Sequence, residues 1–169
     1  IKIRKLSPGI SSIIIDEPKT YNSLSFKNLN DLIKVLDKLN SDNLTRVIII
    51  EGSGPGFSAG HNLKEVRGLK LKSKYQKLFN LCSKLMIKIV EGKKPVIAKV
   101  HGAAFAAGCQ LVASCDLAYS TNDAKFATPG VNIGLFCSTP MVAVSRKVNR
   151  KKMMKMLLTG EPISASYAK

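Results

Sequence analysis

The sequence predicts an α/β fold, and three observations carry that prediction. Two aliphatic runs, Arg46-Val-Ile-Ile-Ile-Glu51 and Val96-Ile-Ala-Lys-Val100, have the nearly continuous apolar character of strands buried on both faces. Two longer stretches carry leucine and its relatives at helical spacing. These elements follow one another as strands, helix, buried strand, helix, buried strand, the order expected of an α/β sheet. The 169 residues suit one domain, residues 1–169.

The elements follow in order. Residues 2–6 and 11–15 read as two strands around the turn Ser7-Pro8-Gly9, a hairpin closed off by Asp16-Glu17-Pro18-Lys19. Ser25 is a candidate N-cap, and Phe26, Leu29, Leu32, Ile33, Leu36 and Leu39 follow on one helical face. The strand at 46–51 leads into a Gly-rich loop, Gly52 to Gly60. Residues 73–90 carry Leu78, Leu81, Leu85, Met86 and Ile89 at helical spacing. Pro95 opens the next buried strand, which Gly102 closes. Residues 106–115 are small and apolar, as in a tightly packed helix, and Leu117–Ser120 reads as a short strand. Residues 126–139 read as irregular, with Pro129, Gly130 and Gly134. Residues 141–147 and 150–158 read as helices, and Ser164 caps a further helix that the chain does not finish. That ending, and a start without Met, suggest a piece of a longer protein.

Charge and cysteine bound the function classes. Lysine and arginine number 27 against 11 aspartates and glutamates, giving a net charge of +16. Such a balance points to a polyanionic partner or a phosphate-bearing ligand. Only five of the cations are arginine, the side chain suited to bidentate phosphate and guanine recognition, which argues against nucleic acid. Compositional bias toward lysine is therefore the preferred account. Cys82, Cys109, Cys115 and Cys137 stand at irregular spacings among apolar neighbours, and with His61 and His101 they form no zinc pattern. They read as reduced, buried thiols. No apolar run is long enough to span a bilayer, and no signal peptide is present to read.

Two segments carry chemistry. Gly54–Leu63 follows a buried strand, the usual place for a ligand loop in an α/β sheet. It lacks the Gly-Lys-Ser/Thr of a P-loop and is not a dinucleotide fingerprint. Pro95–Gln110 runs from a strand through a Gly-Ala bend straight into a helix start. The first N–H groups of that helix lack intrahelical partners and can hold a developing oxyanion.

Together these segments resemble the crotonase superfamily, the enoyl-CoA hydratase/isomerase family. F-S-A-G-H-N-L (57–63) is similar to the family loop F-x-A-G-x-D-[LI]. K-P-V-I-A-K-V-H-G-A-A-F-A-A-G-C-Q-L (94–111) is similar to its K-P-V-I-A-x-V-x-G-x-x-x-G-G-G-x-E-L block. C-D-L-A-Y-S (115–120), A-K-F-A-T-P-G-V-N-I-G (124–134) and L-T-G-E-P-I-S-A (158–165) match three further family blocks, in order. The resemblance is strongest to a mitochondrial branch of the family. It implies a crotonase (ClpP-like) spiral of ββα units, here without the C-terminal trimerisation and lid helices, in a protein of fatty acid metabolism. It also implies a homotrimer or dimer of trimers in the mitochondrial matrix. The ligand would be an acyl-CoA thioester, with coenzyme A as part of the substrate and no separate cofactor. The N–H groups of His61 and Ala107 would polarise the thioester carbonyl. Ser58, Ala59, Gly60, His61, Asn62, Leu63 and Lys64 would line the path of CoA beside Ala107, with Lys19 near its phosphates.

The departures from the family pattern bear on activity. The two glutamates that handle the water in family hydratases fall at Gln110 and Gly130. Gln exchanges no proton near neutral pH and Gly has no side chain. A general acid–base group contributes ~10²–10⁴-fold, so hydration is expected to be weak or absent, and isomerisation loses its glutamate too. Asn62 replaces the loop aspartate, and Ala106 and Ala107 replace two helix-start glycines, though an alanine still offers its N–H. Asp116 reads as structural. Glu65 and Asn132 have no role to inherit. The His61 imidazole either faces the thioester or lies on the loop surface. Cys109 reads as packing, and Ser138 and Thr139 have no base beside them. The alternative function is a noncatalytic crotonase-fold binding or scaffold protein, touching RNA or anionic lipid through its lysines.

Overall fold

The computed structural model describes residues 1–169. The hairpin forms as expected: β1 (Lys2–Ser7) runs antiparallel to β2 (Ile10–Ile15). A 3-10 turn at Pro18–Thr20 leads to α1 (Phe26–Ser41), whose N-cap Ser25 accepts a hydrogen bond from the Asn28 N–H. Then come β3 (Val47–Gly52), a short helix α2 (Leu63–Gly68), the long helix α3 (Lys72–Val90) and β4 (Val96–Val100). β5 (Ala103–Phe105) precedes α4 (Ala107–Ser114), and β6 (Leu117–Ser120) and β7 (Lys125–Ala127) follow it. A 3-10 turn at Pro129–Ile133, α5 (Ser138–Val144), α6 (Arg150–Thr159), β8 (Ile163–Ser164) and α7 (Ala165–Ala168) complete the chain.

Two sheets result. The larger has the order β1-β2-β3-β4-β6, with β2, β3, β4 and β6 parallel. The smaller has the order β5-β7-β8. Helices α1 and α3 cover one face of the larger sheet. Leu29, Leu32 and Leu36 meet Leu78, Leu85 and Ile89 over Ile13, Ile15, Ile48, Ile50 and Ala98. Full burial of one such side chain stabilises the fold by about 1.5–3 kcal/mol. The other face corrects the expectation of strands buried on both sides. Val47 and Ile49 are only half-buried, Lys99 is exposed, and β6 is exposed throughout. That face carries a polar bracket instead. The Glu51 carboxylate accepts hydrogen bonds from Arg4 (2.6 Å), Ser12 (2.6 Å) and Lys99 (3.0 Å), one from each of β1, β2 and β4.

A second, smaller core joins Cys109, Cys137, Val144, Met153, Met156, Leu157 and Ile163. Helix α4 stands between the two cores. Ala107, Leu111 and Val112 face the first and Cys109 the second. Burial on both sides explains its run of small apolar residues. All four cysteines are free and buried, and no helix is long and apolar enough to cross a membrane.

Several elements differ from the sequence reading. Residues 63–68 form a helix, β5 interrupts the bend that was to run straight into α4, and the irregular 126–139 stretch contains part of β7 and the start of α5.

Candidate functional site

The Gly-rich loop after β3 is sewn to the segment that enters α4. The Phe57 N–H donates to the His101 carbonyl, the Ser58 N–H to Ala103, and the Phe105 N–H to Ser58, all at 2.9–3.0 Å. Phe57 is fully buried and anchors the loop from below. From the other side, the Ala59 N–H donates to Tyr21 and the Leu24 N–H to Gly60. Asn22 fixes this second seam, a role that sequence reasoning missed. Its side-chain nitrogen donates to the carbonyls of Ser53 (2.7 Å) and Gly56 (2.8 Å). Its backbone is left-handed, φ +53°, a conformation asparagine tolerates better than most residues.

These seams put Gly60 against the start of α4. A Cβ on Gly60 would lie 2.9 Å from the Phe105 carbonyl and 3.0 Å from the Ala107 nitrogen, and its φ is +87°. Only glycine fits there. The backbones of Gly60–His61 and Ala106–Ala107 therefore run side by side. The His61 N–H makes no hydrogen bond within the chain. As the first residue of α4, Ala107 has no intrahelical acceptor for its own N–H. Gly108 explains which family glycine cannot be replaced: a Cβ there would sit 2.2 Å from the Ser58 carbonyl. Ala106 adopts φ +50°, an unusual conformation for an alanine.

The candidate side chains separate into groups. Lys19, Ala59, Leu63 and Lys64 are exposed. Ser58 differs from these in being turned inward. It is fully buried, its hydroxyl donates to the Asn22 carbonyl, and it accepts the Gly60 N–H. Asn62 caps α2, accepting from the N–H groups of Lys64 and Glu65. Glu65 reaches back to accept the Phe26 N–H of α1 at 3.1 Å. The His61 ring packs back onto the protein through one of its nitrogens and one edge. Its Nδ1–H donates to the Leu24 carbonyl at 3.2 Å, and the ring meets Phe79 edge-on at 5.4 Å. Burial lowers its pKa, outweighing the opposite pulls of Leu24 and Glu65.

Neither family glutamate position carries an acid. Gln110 is 5% exposed, and its Oε1 is buried without a hydrogen-bond partner. Gly130 is buried, and no space is left above it. A Cβ there would lie 2.8 Å from both Cys137 Sγ and the Leu135 carbonyl, while the Gly130 N–H donates to that sulfur at 3.3 Å. Burial pushes the Cys109 thiol up to about 12, aided by the neighbouring Cys137, so it is protonated and inert. Asp116 accepts the Val96 N–H at 2.8 Å, a structural role. Asn132 lies against Gly160 at the end of α6. Thr139 and Gln110 line one cleft of about 570 Å³ between α3, α4 and α5.

The seam and the fold around it define the class of protein: the chain belongs to the enoyl-CoA hydratase/isomerase family, whose model matches residues 5–169. Within that family it is similar to mitochondrial enoyl-CoA hydratase domain-containing protein 3. It is 48% identical to the protein of Rattus norvegicus and 52% identical to that of Xenopus laevis. Each match covers 95% of this chain and 53% or 54% of the relative, so the chain spans about half the length of these curated relatives. Among solved structures, it superposes on an enoyl-CoA hydratase of Mycobacterium smegmatis with a TM-score of 0.96 at 46% identity. That match covers 99% of this chain and 65% of the other. Human enoyl-CoA hydratase domain-containing protein 3 gives a TM-score of 0.95 at 48% identity, over 99% and 66% of the two chains.

Proposed function

We propose that this chain binds an acyl-CoA thioester at the seam between Gly60–His61 and Ala106–Ala107, and that it does not act as an ordinary hydratase. The observation that supports the reading is the side-by-side course of those two backbones, with the His61 and Ala107 N–H groups uncommitted. Two such donors can polarise a thioester carbonyl and stabilise an enolate-like oxyanion. CoA enters as part of the substrate. Lys19 and Lys64 stand exposed on segments joined by the Tyr21–Ala59 and Leu24–Gly60 hydrogen bonds, in reach of a role with its phosphates.

Adding water across a double bond needs groups that take and give protons. Gln110 offers an amide, Gly130 offers nothing, and the nearby carboxylates of Glu65 and Asp116 already hold backbone N–H groups. Hydrolysis, decarboxylation and enolate protonation all suit an oxyanion-binding site without two carboxylates. The full-length protein is proposed as a homotrimer or dimer of trimers of the mitochondrial matrix, after its family and the mitochondrial names of its relatives. The test is calorimetric titration with hexanoyl-CoA, followed by a crotonyl-CoA hydration assay. Saturable binding is expected, with hydration at least ~10²-fold below that of a family hydratase measured alongside. Hydration at the ordinary rate would overturn the reading.

A further inference from the structure

His61 stands at the candidate site twice, through its backbone N–H and through its ring. The tautomer of the ring is fixed. Nδ1 lies 3.2 Å from the Leu24 carbonyl, which can only accept, so Nδ1 carries the proton and Nε2 a lone pair. Nε2 makes no hydrogen bond within the chain, and it is not among the buried polar atoms that lack a partner, so solvent reaches it. Burial of the ring as a whole lowers its pKa, which keeps the imidazole neutral near neutral pH. Glu65 is the charged group that acts on it, in the opposite sense and more weakly.

The topology brings this ring to the helix start that holds Ala107. Strands β3, β4 and β6 are parallel. Helix α3 ends just before β4 begins, and α4 ends just before β6 begins. Both helices therefore run back from the carboxyl edge of the sheet, the edge that the Gly54–Leu63 loop leaves from. The ring meets Phe79, in the first half of α3, edge-on at 5.4 Å. The backbone of the same residue follows Gly60, which touches the Ala107 nitrogen. An unpaired imidazole nitrogen thus stands within one side-chain length of the His61 N–H.

We propose that the chain hydrolyses its bound acyl-CoA thioester, with His61 Nε2 as the general base that activates the water. This rests on the acyl-CoA reading given above and selects one reaction from it. The carbonyl oxygen lies on the His61 and Ala107 N–H groups. A water oxygen adds to the carbonyl carbon while its proton passes to Nε2, and the carbonyl π pair moves onto the oxygen held by the two donors. The tetrahedral intermediate then collapses and the C–S bond breaks. The departing sulfur takes the proton back from the imidazolium, so the products are a carboxylic acid and the CoA thiol. Water is the only co-reactant, and His61 ends as it began. The base serves the carbonyl end of the substrate, because the same residue holds that oxygen. The positions that handle water in family hydratases, Gln110 and Gly130, carry no base.

The experiment follows release of CoA thiol from hexanoyl-CoA by the chain and by its His61→Asn variant, which keeps a donor for Leu24 and the backbone N–H. Affinity is read by calorimetry from 2-oxoheptyl-CoA, a ketone analogue that keeps the carbonyl and cannot be hydrolysed. The parent is expected to release thiol as it consumes thioester. His61→Asn should turn over ~10²-fold more slowly or worse, while binding the analogue as well as the parent does. In His61→Ala, imidazole added to the buffer should restore part of the rate, which a purely structural histidine would not allow. Binding of the analogue without thiol release in the parent overturns this proposal and leaves the acyl-CoA reading intact. Undiminished release in His61→Asn, a fall in rate matched by an equal fall in affinity, or no response of His61→Ala to imidazole overturns it too. Failure of both hexanoyl-CoA and the analogue to bind overturns this proposal and the acyl-CoA reading together.

Discussion

One nitrogen of the His61 imidazole is committed to the protein. Nδ1–H is held by the Leu24 carbonyl, and the ring edge packs on Phe79. The pH dependence follows from the direction of its shift. Burial sets the folded pKa below the ordinary value, so the unfolded chain takes up this proton first as pH falls. Stability from the neutral ring is complete above the unfolded pKa of about 6.5 and declines as pH drops through and below it. The melting temperature is therefore expected to fall as the buffer is taken from about pH 7.5 to about 5.5, across the ordinary histidine value. His61→Asn keeps a donor for Leu24 but cannot titrate, and its melting temperature should be flatter over that interval. An unchanged slope would place the titrating group elsewhere. The motif matches located His61, but they carried no sign of where its ring would go. The ring's partner carbonyl lies 37 positions earlier in the chain.

At the scale of elements, α2 shows how a short helix contributes to the site. None of its six residues is fully buried, and Val66 alone packs, half-buried, against the main core. Beside that it offers Glu65, whose carboxylate accepts the Phe26 N–H and joins the ligand-loop side of the molecule to the first turn of α1. Replacing Glu65 with alanine leaves that N–H unpaired and should cost about 1–2 kcal/mol in denaturant unfolding, with Glu65→Gln recovering part of the loss. Equal stability of all three proteins would remove the contact from the account. The same scale marks what sequence can and cannot disclose. The hairpin and helices α1 and α3 were legible because their apolar residues repeat with the period of the structure. β3 and β4 were legible as strands, but their second face was not. Glu51 and Lys99 meet through strand register, which no local pattern reveals. β5 and β7 are three residues each and exist by pairing with one another across some twenty positions. The seam of the candidate site was approached through motif matches, whereas Asn22, which holds it together, was not foreseen. Its hydrogen bonds reach 31 and 34 positions along the chain.

For the molecule as a whole, the net charge of +16 becomes a statement about ionic strength. Only six ion pairs form, among them Lys27–Asp31, Lys88–Asp37 and Lys155–Glu161, so most of the 27 cations face solvent without an anion. The Debye length shortens from about 10 Å at 0.1 M to about 3 Å at 1 M, which weakens attraction to an exposed phosphate. CoA thioester affinity should therefore fall as salt rises. The Lys19→Ala, Lys64→Ala pair should bind a few-fold more weakly at low salt and lose part of the salt dependence. Because both side chains are exposed, the unfolding free energy should stay within about 0.5 kcal/mol of the parent. Salt-independent affinity in the parent would take the phosphates away from these lysines.

The contact between Gly130 and Cys137 also bears on the routes by which this chain could change. The two positions that lack a glutamate are not equally open to one. At position 110 a side chain of nearly the same shape is already in place, and a carboxylate differs from it by one atom. At position 130 the thiol of Cys137 and the carbonyl of Leu135 stand where a new side chain would begin. A glutamate there must wait for the 135–137 segment to withdraw. The order of substitutions thus matters, and the sulfur works as a ratchet: easy to engage once the side chain is gone, and blocking a direct way back.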